Sequence, residues 1–189
     1  MQVNLVRHGS TSLVAKILCG RSVDPSLDEN GRAQARRAAD RLNDAGPIWT
    51  SPRARTRETA ALIADGRAVA IAPALDEIDF GDWSGRSFDE LAPDPAWRRW
   101  NAARASARPP GGEKFAEVAD RLDGLLRQIG GHHAAVLVTH CDVIRAFVCR
   151  ILGLSADDWW RFDVDCGSVT RIMVEPGRTR LLSLNEGDR

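Results

Sequence analysis

The chain has 189 residues, 43% of them apolar and 28% charged, a balance that suits one globular domain with a buried core and excludes a disordered or fibrous chain. Lys plus Arg and Asp plus Glu number 26 each, which excludes a polybasic nucleic-acid binder held by bulk charge, so no nucleic-acid partner is expected. The longest apolar runs, such as residues 134–138, are far too short to span a bilayer, and no membrane partner is expected either.

The opening residues reach Arg7 and His8 with no charged leader followed by an apolar stretch. The four cysteines (Cys19, Cys141, Cys149, Cys166) form no Cys-x-x-Cys pair, so reduced thiols in a cytoplasmic protein are the expectation. Residues 3–6 read as a first strand. Asp28 is placed to cap a helix that runs to about Asp44 and is closed by Gly46-Pro47. Residues 48–50 and 69–71 are weaker strand candidates. Between them Ser51-Pro52 signals a helix start, because Ser accepts from free amides and Pro is tolerated at the first helical position. Residues 79–112 hold Gly81, Gly85, Pro93, Pro95, Pro109, Pro110, Gly111 and Gly112, and predict a loop-rich insertion with short helices, such as 95–104, that serves as a substrate lid. Phe115, Val118, Leu122, Leu125, Leu126 and Ile129 recur at helical steps until Gly130-Gly131. Residues 135–138 read as a central strand, and 169–174 with 180–184 as an antiparallel edge hairpin turned at Pro176-Gly177. Strands alternating with helices predict an α/β fold, three layers (α/β/α) around a mostly parallel sheet, in a single domain over residues 1–189.

Four segments could carry chemistry. Arg7-His8-Gly9 follows the first strand, at the sheet edge where ligands of doubly wound folds sit. A neutral imidazole is a nucleophile near neutral pH, a guanidinium grips an anion through two parallel hydrogen bonds, and Gly lets backbone approach a ligand. In 51–60, Arg55 lies in a first helical turn, where amides and dipole favour an anion, whereas Arg53 and Arg57 read as a solvated cationic face. In 75–85, a carboxylate held out of water could protonate a leaving oxygen. His140 ends the central strand just before a helix. Taken singly, each is as readily a structural or solvated residue.

Together and in this order they resemble the histidine phosphatase superfamily (phosphoglycerate mutase-like) over nearly the whole chain. Arg7-His8-Gly9, Ser51-Pro52 with Arg55 and Thr59-Ala60, Glu77 with Phe80-Gly81-Asp82-Trp83, and His140 with Val143-Ile144-Arg145 carry the resemblance. It implies a phosphoglycerate mutase-like fold and a phosphomonoesterase that needs no metal and no cofactor. His8 would become a phosphohistidine, and Arg7, Arg55 and His140 would bind the phosphoryl oxygens. Glu77 would protonate the leaving alkoxide and then activate water. Thr11, Gly20 and Arg21 fall among the implied substrate contacts. Two positions depart from the family: Val14 stands where an Asn is common, and Cys141 where a Gly follows the second His. No cysteine has an Arg six positions on, so a cysteine-phosphatase loop is absent, and no zinc-type ligand spacing occurs.

Residues 18–27, 30–35, 80–83, 110–113 and 160–165 look like the alpha-ribazole phosphatase branch. That implies removal of the 5′-phosphate from alpha-ribazole phosphate or adenosylcobalamin phosphate in cobalamin biosynthesis, by a monomer or homodimer with a small phosphate ester as partner. The short interval from Glu77 to His140 favours water over a second phosphorylated substrate as acceptor. Trp83, Trp97, Trp100 and Phe88 read either as an aromatic pocket for a flat base or as packing of the insertion on the sheet. A broad-specificity phosphatase of sugar phosphates or phosphoglycerates and a non-catalytic phosphate-binding module are the alternatives.

Overall fold

The computed structural model describes residues 1–42 and 46–187. Its strands are β1 (Gln2–Arg7), β2 (Ile48–Thr50), β3 (Val69–Ile71), β4 (Ala134–Thr139), β5 (Val169–Glu175) and β6 (Arg178–Glu186). Its helices are α1 (Glu29–Asp40), α2 (Ala54–Ala64), α3 (Phe88–Leu91), α4 (Pro95–Ala102), α5 (Phe115–Gln128) and α6 (Cys141–Ile151). The six strands form one sheet in the order β3-β2-β4-β1-β5-β6. The first four in that order are parallel, and β5 and β6 complete the edge as an antiparallel hairpin turned at Pro176-Gly177.

Strand periodicity sorts the layers, because successive side chains leave a strand on opposite faces. Val3 and Leu5 of β1, with Ala135 and Leu137 of β4, enter one core together with α5 and α6. Val6, Val136 and Val138 enter the other, against Ala38 of α1 and Ala60, Ile63 and Ala64 of α2. Every residue of β4 is buried, as a strand covered on both faces requires. The expected three-layer α/β/α architecture is therefore present. Phe80, Trp83, Leu91 and Trp100 of the 79–112 insertion belong to the α5/α6 core, so this segment has an apolar underside fused to the body of the protein.

Several element bounds differ from the sequence reading. Asp28 caps α1 as expected, accepting from Gly31 N–H at 2.7 Å. The helix ends at Asp40, however, because the N–H groups of Arg41 and Leu42 bond back three residues and Leu42 drops into the core. Its expected end at Asp44 lies outside the described residues. The helix signalled by Ser51-Pro52 begins only at Ala54, whose N–H is capped by Asp24 Oδ1 at 2.8 Å. α4 stops at Ala102 and not at residue 104, because Arg104 is drawn inward to stack on two indoles.

Gly9 has a structural use that the sequence reading assigned to ligand approach. A Cβ at Gly9 would collide with the Gly31 carbonyl, and one at Gly31 with the Ser10 carbonyl, so the turn after β1 packs backbone-to-backbone on the first turn of α1. Gly31→Ala is expected to cost about 1–3 kcal/mol of stability, read as a lowered urea midpoint. An unchanged midpoint would show that the turn can yield without strain.

Candidate active site

Sheet register brings three residues distant in sequence to one point. β1 pairs Arg7 with Thr139 and β2 pairs Thr50 with Val138, so His8, Ser51 and His140 leave adjacent strand ends side by side. His8 N–H bonds the Thr139 carbonyl at 3.0 Å and Ser51 N–H the Val138 carbonyl at 3.0 Å. The His8 and His140 rings meet edge-on, with centroids 5.2 Å apart. From the first turn of α2, Arg55 Nη2 bonds the Gly20 carbonyl at 3.0 Å and stands 3.3 Å from His140 Nδ1. Glu77, just beyond a 3-10 turn at Pro73–Leu75, places Oε2 3.5 Å from that same nitrogen. Arg7, His8, Thr11, Gly20, Arg55 and Glu77 line a cavity of about 270 Å³.

Hydrogen bonding fixes the protons. His8 Nδ1 is 2.7 Å from the Gly9 carbonyl, which can only accept, so Nδ1 carries the hydrogen and the Nε2 lone pair is uncommitted. Burial, and then the Arg7 and Arg55 charges, hold the His8 pKa well below the usual imidazole range, so the ring is neutral at pH 7. His140 is neutral as well, through burial first and Arg55 next. Arg55 can only donate, so His140 Nδ1 accepts and its Nε2–H donates to Ser51 Oγ at 2.8 Å. Ser51 Oγ in turn donates to Asp76 Oδ1 at 3.4 Å. Asp76 is gripped by Arg53 through Nε and Nη2, each at 2.9 Å, and accepts the Glu77 N–H at 2.9 Å. Arg53 is thus no solvated cation, as its place in a charged run implied, but the outer anchor of a chain that orients both His140 and Glu77.

Glu77 is the titrating group of the site. Burial, reinforced by the Asp142 carboxylate and opposed by Arg55, pushes its pKa up to about 7, so acid and base forms coexist near neutrality. This has a cost in stability. Between the ordinary carboxyl pKa and the raised one, the folded state holds a proton that the unfolded chain has released. Relative to acid pH, stability therefore falls as pH rises from the ordinary carboxyl range to about 7, and above that the full cost, on the order of 3 kcal/mol, is present. Glu77→Gln should remove that slope, so the variant should outlast the wild type in urea at about pH 8 but not at about pH 5. Equal pH dependence of the two proteins would contradict the raised pKa.

The remaining expected site residues are placed unevenly. Arg21 does not line the cavity; its Nε bonds the Glu77 carbonyl at 2.7 Å and its Nη2 Glu113 Oε2 at 2.9 Å, bracing the acid from outside. His140 is fully buried behind the wall and reaches the cavity through Arg55 and His8. Trp83 and Trp100 are buried in the core, so of the four aromatics only Phe88 and Trp97 reach the cavity, joined by Phe80 and Trp159. Val14 lines the wall as an apolar side chain. Burial pushes the Cys141 thiol up to about 11, so it offers no thiolate to a rival mechanism. Asn101, Arg104, Asp142, Arg145 and Trp159 also line the cavity and were not singled out in the sequence as site residues. Among the described residues no cluster of three or more His, Cys, Asp and Glu side chains is placed to hold a metal ion, and no helix is long and apolar enough to cross a membrane.

Comparison with known proteins agrees with this geometry. The sequence profile of the histidine phosphatase superfamily (branch 1) matches residues 3–187. Phosphoserine phosphatase 1 of Hydrogenobacter thermophilus is 33% identical over 173 residues, covering 86% of this chain and 82% of that protein. The adenosylcobalamin/alpha-ribazole phosphatase of Salmonella typhimurium is 31% identical over 195 residues, covering 98% and 96%. A phosphoserine phosphatase mutant from Entamoeba histolytica, solved in complex with phosphoserine, superposes with a TM-score of 0.84 at 25% identity, over 98% of this chain and 96% of that one. With the profile spanning nearly every residue and the two imidazoles, two guanidiniums and carboxyl gathered at one sheet edge, the chain belongs to the histidine phosphatase superfamily, branch 1.

Proposed function

We propose that this phosphoric monoester hydrolase works without a metal, by double displacement through a phosphohistidine at His8. A phosphomonoester carries roughly −1.5 to −2 charge at neutral pH, and Arg7 and Arg55 present two permanent positive charges beside the nucleophile. His8 Nε2 forms the P–N bond as the P–O bond to the alcohol breaks, and protonated Glu77 gives its proton to the leaving oxygen. The ionised Glu77 then takes a proton from water, whose oxygen attacks phosphorus, releasing phosphate and restoring neutral His8. His140, lying behind Arg55, holds that guanidinium in place rather than meeting the phosphoryl group directly in this state. The 79–112 segment supplies one cavity wall through Phe80, Phe88, Trp97, Asn101 and Arg104, and we propose that it acts as the lid. The observation that carries the reading is a neutral, tautomer-fixed His8 sharing one cavity with a carboxyl group that titrates near 7.

Two substrate readings have a wall each. Alpha-ribazole 5′-phosphate suits the aromatic wall of Phe88, Trp97 and Trp159, where a flat base could stack, and is supported by the resemblance to the Salmonella enzyme. An adenosylcobalamin phosphate would insert only its ribose-phosphate tail, since the cavity holds about 270 Å³. A small phosphorylated acid suits the cations beside that wall, Arg104 and Arg145, both of which lie over Trp159, and phosphoserine is the substrate named for the Hydrogenobacter relative. The test is kcat/KM for alpha-ribazole 5′-phosphate, phosphoserine, 3-phosphoglycerate and p-nitrophenyl phosphate, each with and without EDTA. Rates indifferent to EDTA are expected. A strong loss restored by Mg²⁺ would contradict the metal-free route.

A further inference from the structure

The cavity wall formed by α6 holds a cation that the chain leaves without a hydrogen bond among the described residues. Arg145, one turn beyond Cys141 on α6, lines the cavity and is 17% exposed. Its Nη1 stands 3.8 Å from Asp142 Oδ1, outside hydrogen-bond reach, whereas Arg104 Nη1 bonds that oxygen at 3.0 Å. Arg104 has both terminal nitrogens engaged: it lies between the Trp100 and Trp159 rings at 3.9 and 3.6 Å, with Nη1 on Asp142 and Nη2 on Asn101 Oδ1 at 3.1 Å, and only its buried Nε lacks a partner among the described residues. Arg145 also lies over Trp159, at 4.9 Å, and its buried Nε has no partner among the described residues. Desolvated guanidinium donors are costly to leave unpaired, so this wall is complete only when a ligand brings the acceptor.

We infer that Arg145 is the receptor for a carboxylate of the substrate, which makes phosphorylated hydroxy acids the class this site prefers. Charge decides the class. The phosphoryl group is met by Arg7 and Arg55, while Arg104 and Arg145 share the single Asp142 carboxylate. One carboxylate offsets that surplus and fits the guanidinium fork through two parallel hydrogen bonds; a sugar diol or an uncharged base does neither. Cys141 and Arg145, both in the cavity wall, lie one turn apart on α6, about 6 Å of helix rise, so Arg145 shares the cavity with the nucleophile. The inference rests on the phosphatase reading above and chooses between its two substrates.

The test compares kcat/KM for 3-phosphoglycerate and glycerol 3-phosphate, which share a carbon skeleton and differ in carboxylate against hydroxymethyl. Wild type should favour the carboxylate by at least about tenfold, and Arg145→Gln should bring the ratio to near unity, mainly by raising KM for 3-phosphoglycerate. Arg145→Lys, a point charge in place of a fork, should retain part of the preference, and it reads the same ratio if Arg145→Gln fails to fold. Turnover of p-nitrophenyl phosphate, compared with His8→Ala, separates the two failures. Absence of His8-dependent turnover sinks the phosphatase reading and the subsite with it. Turnover without a carboxylate preference, or with one that survives Arg145→Gln, overturns the subsite alone.

Discussion

His8→Ala should lower kcat by on the order of 10⁴–10⁶-fold while inorganic phosphate still binds, because the substitution removes the nucleophile and leaves both guanidiniums. The size of the effect follows from how the ring is prepared. Burial and the neighbouring Arg7 and Arg55 charges keep it deprotonated, and the Gly9 carbonyl holds the hydrogen on Nδ1. Among the described residues no other group at the cavity combines an available lone pair with that preparation: burial raises the Cys19 and Cys141 thiols and keeps them protonated, and His140, behind the wall, has its Nδ1 occupied by Arg55. Steady-state turnover and phosphate titration by calorimetry check both halves. Retention of more than about one hundredth of the wild-type kcat would mean that water attacks phosphorus directly in the guanidinium cradle.

Glu77→Gln should cost about 10²–10⁴-fold on an alkyl phosphate and much less on p-nitrophenyl phosphate, whose leaving group departs without help. A positioned acid matters in proportion to the basicity of the oxygen it protonates, so the ratio between the two esters isolates the acid role from any loss of fold. The pH profile carries the same information. Phosphorylation of His8 needs the protonated acid, so wild-type kcat/KM for the alkyl ester should fall as pH rises through about 7. His8, with its pKa depressed, adds no limb in that range. The variant should lose the fall near 7. An equal penalty on both esters, with the pH profile unchanged, would assign Glu77 to packing.

Much of this was legible in the chain because motif residues sit at the ends of strands, and strands announce themselves. Residues 134–139 form a run buried on both faces, so His140 had to emerge at a sheet edge, and Arg7-His8 followed from the first strand in the same way. What escaped were contacts that sequence spacing does not encode. Ser51 reads as a helix cap, yet its hydroxyl meets His140, 89 positions away. Arg53 lies in a cationic run that looks solvated and instead grips Asp76. Arg104 and Trp159 meet only because the 3-10 turn at Ala156–Arg161 and the insertion pack together, and Trp83 and Trp100 are spent on the core rather than on the cavity. In a chain whose cations are all arginine except Lys16 and Lys114, residue type carried no weight. Only burial and partner geometry separate Arg145, without a hydrogen bond among the described residues, from arginines that merely keep the surface wet.

The central claim is that the phosphoryl group rests on a ring nitrogen between substrate and water. Rapid quench into base of enzyme turning over a phosphorus-labelled ester, followed by mass analysis of the peptide that contains residue 8, tests it most directly. Label that is stable to alkali, released by acid and located on His8, appearing before free phosphate and decaying as phosphate accumulates, is the result expected. Product formed in a single turnover with no label on the protein, or label on any other side chain, would contradict it.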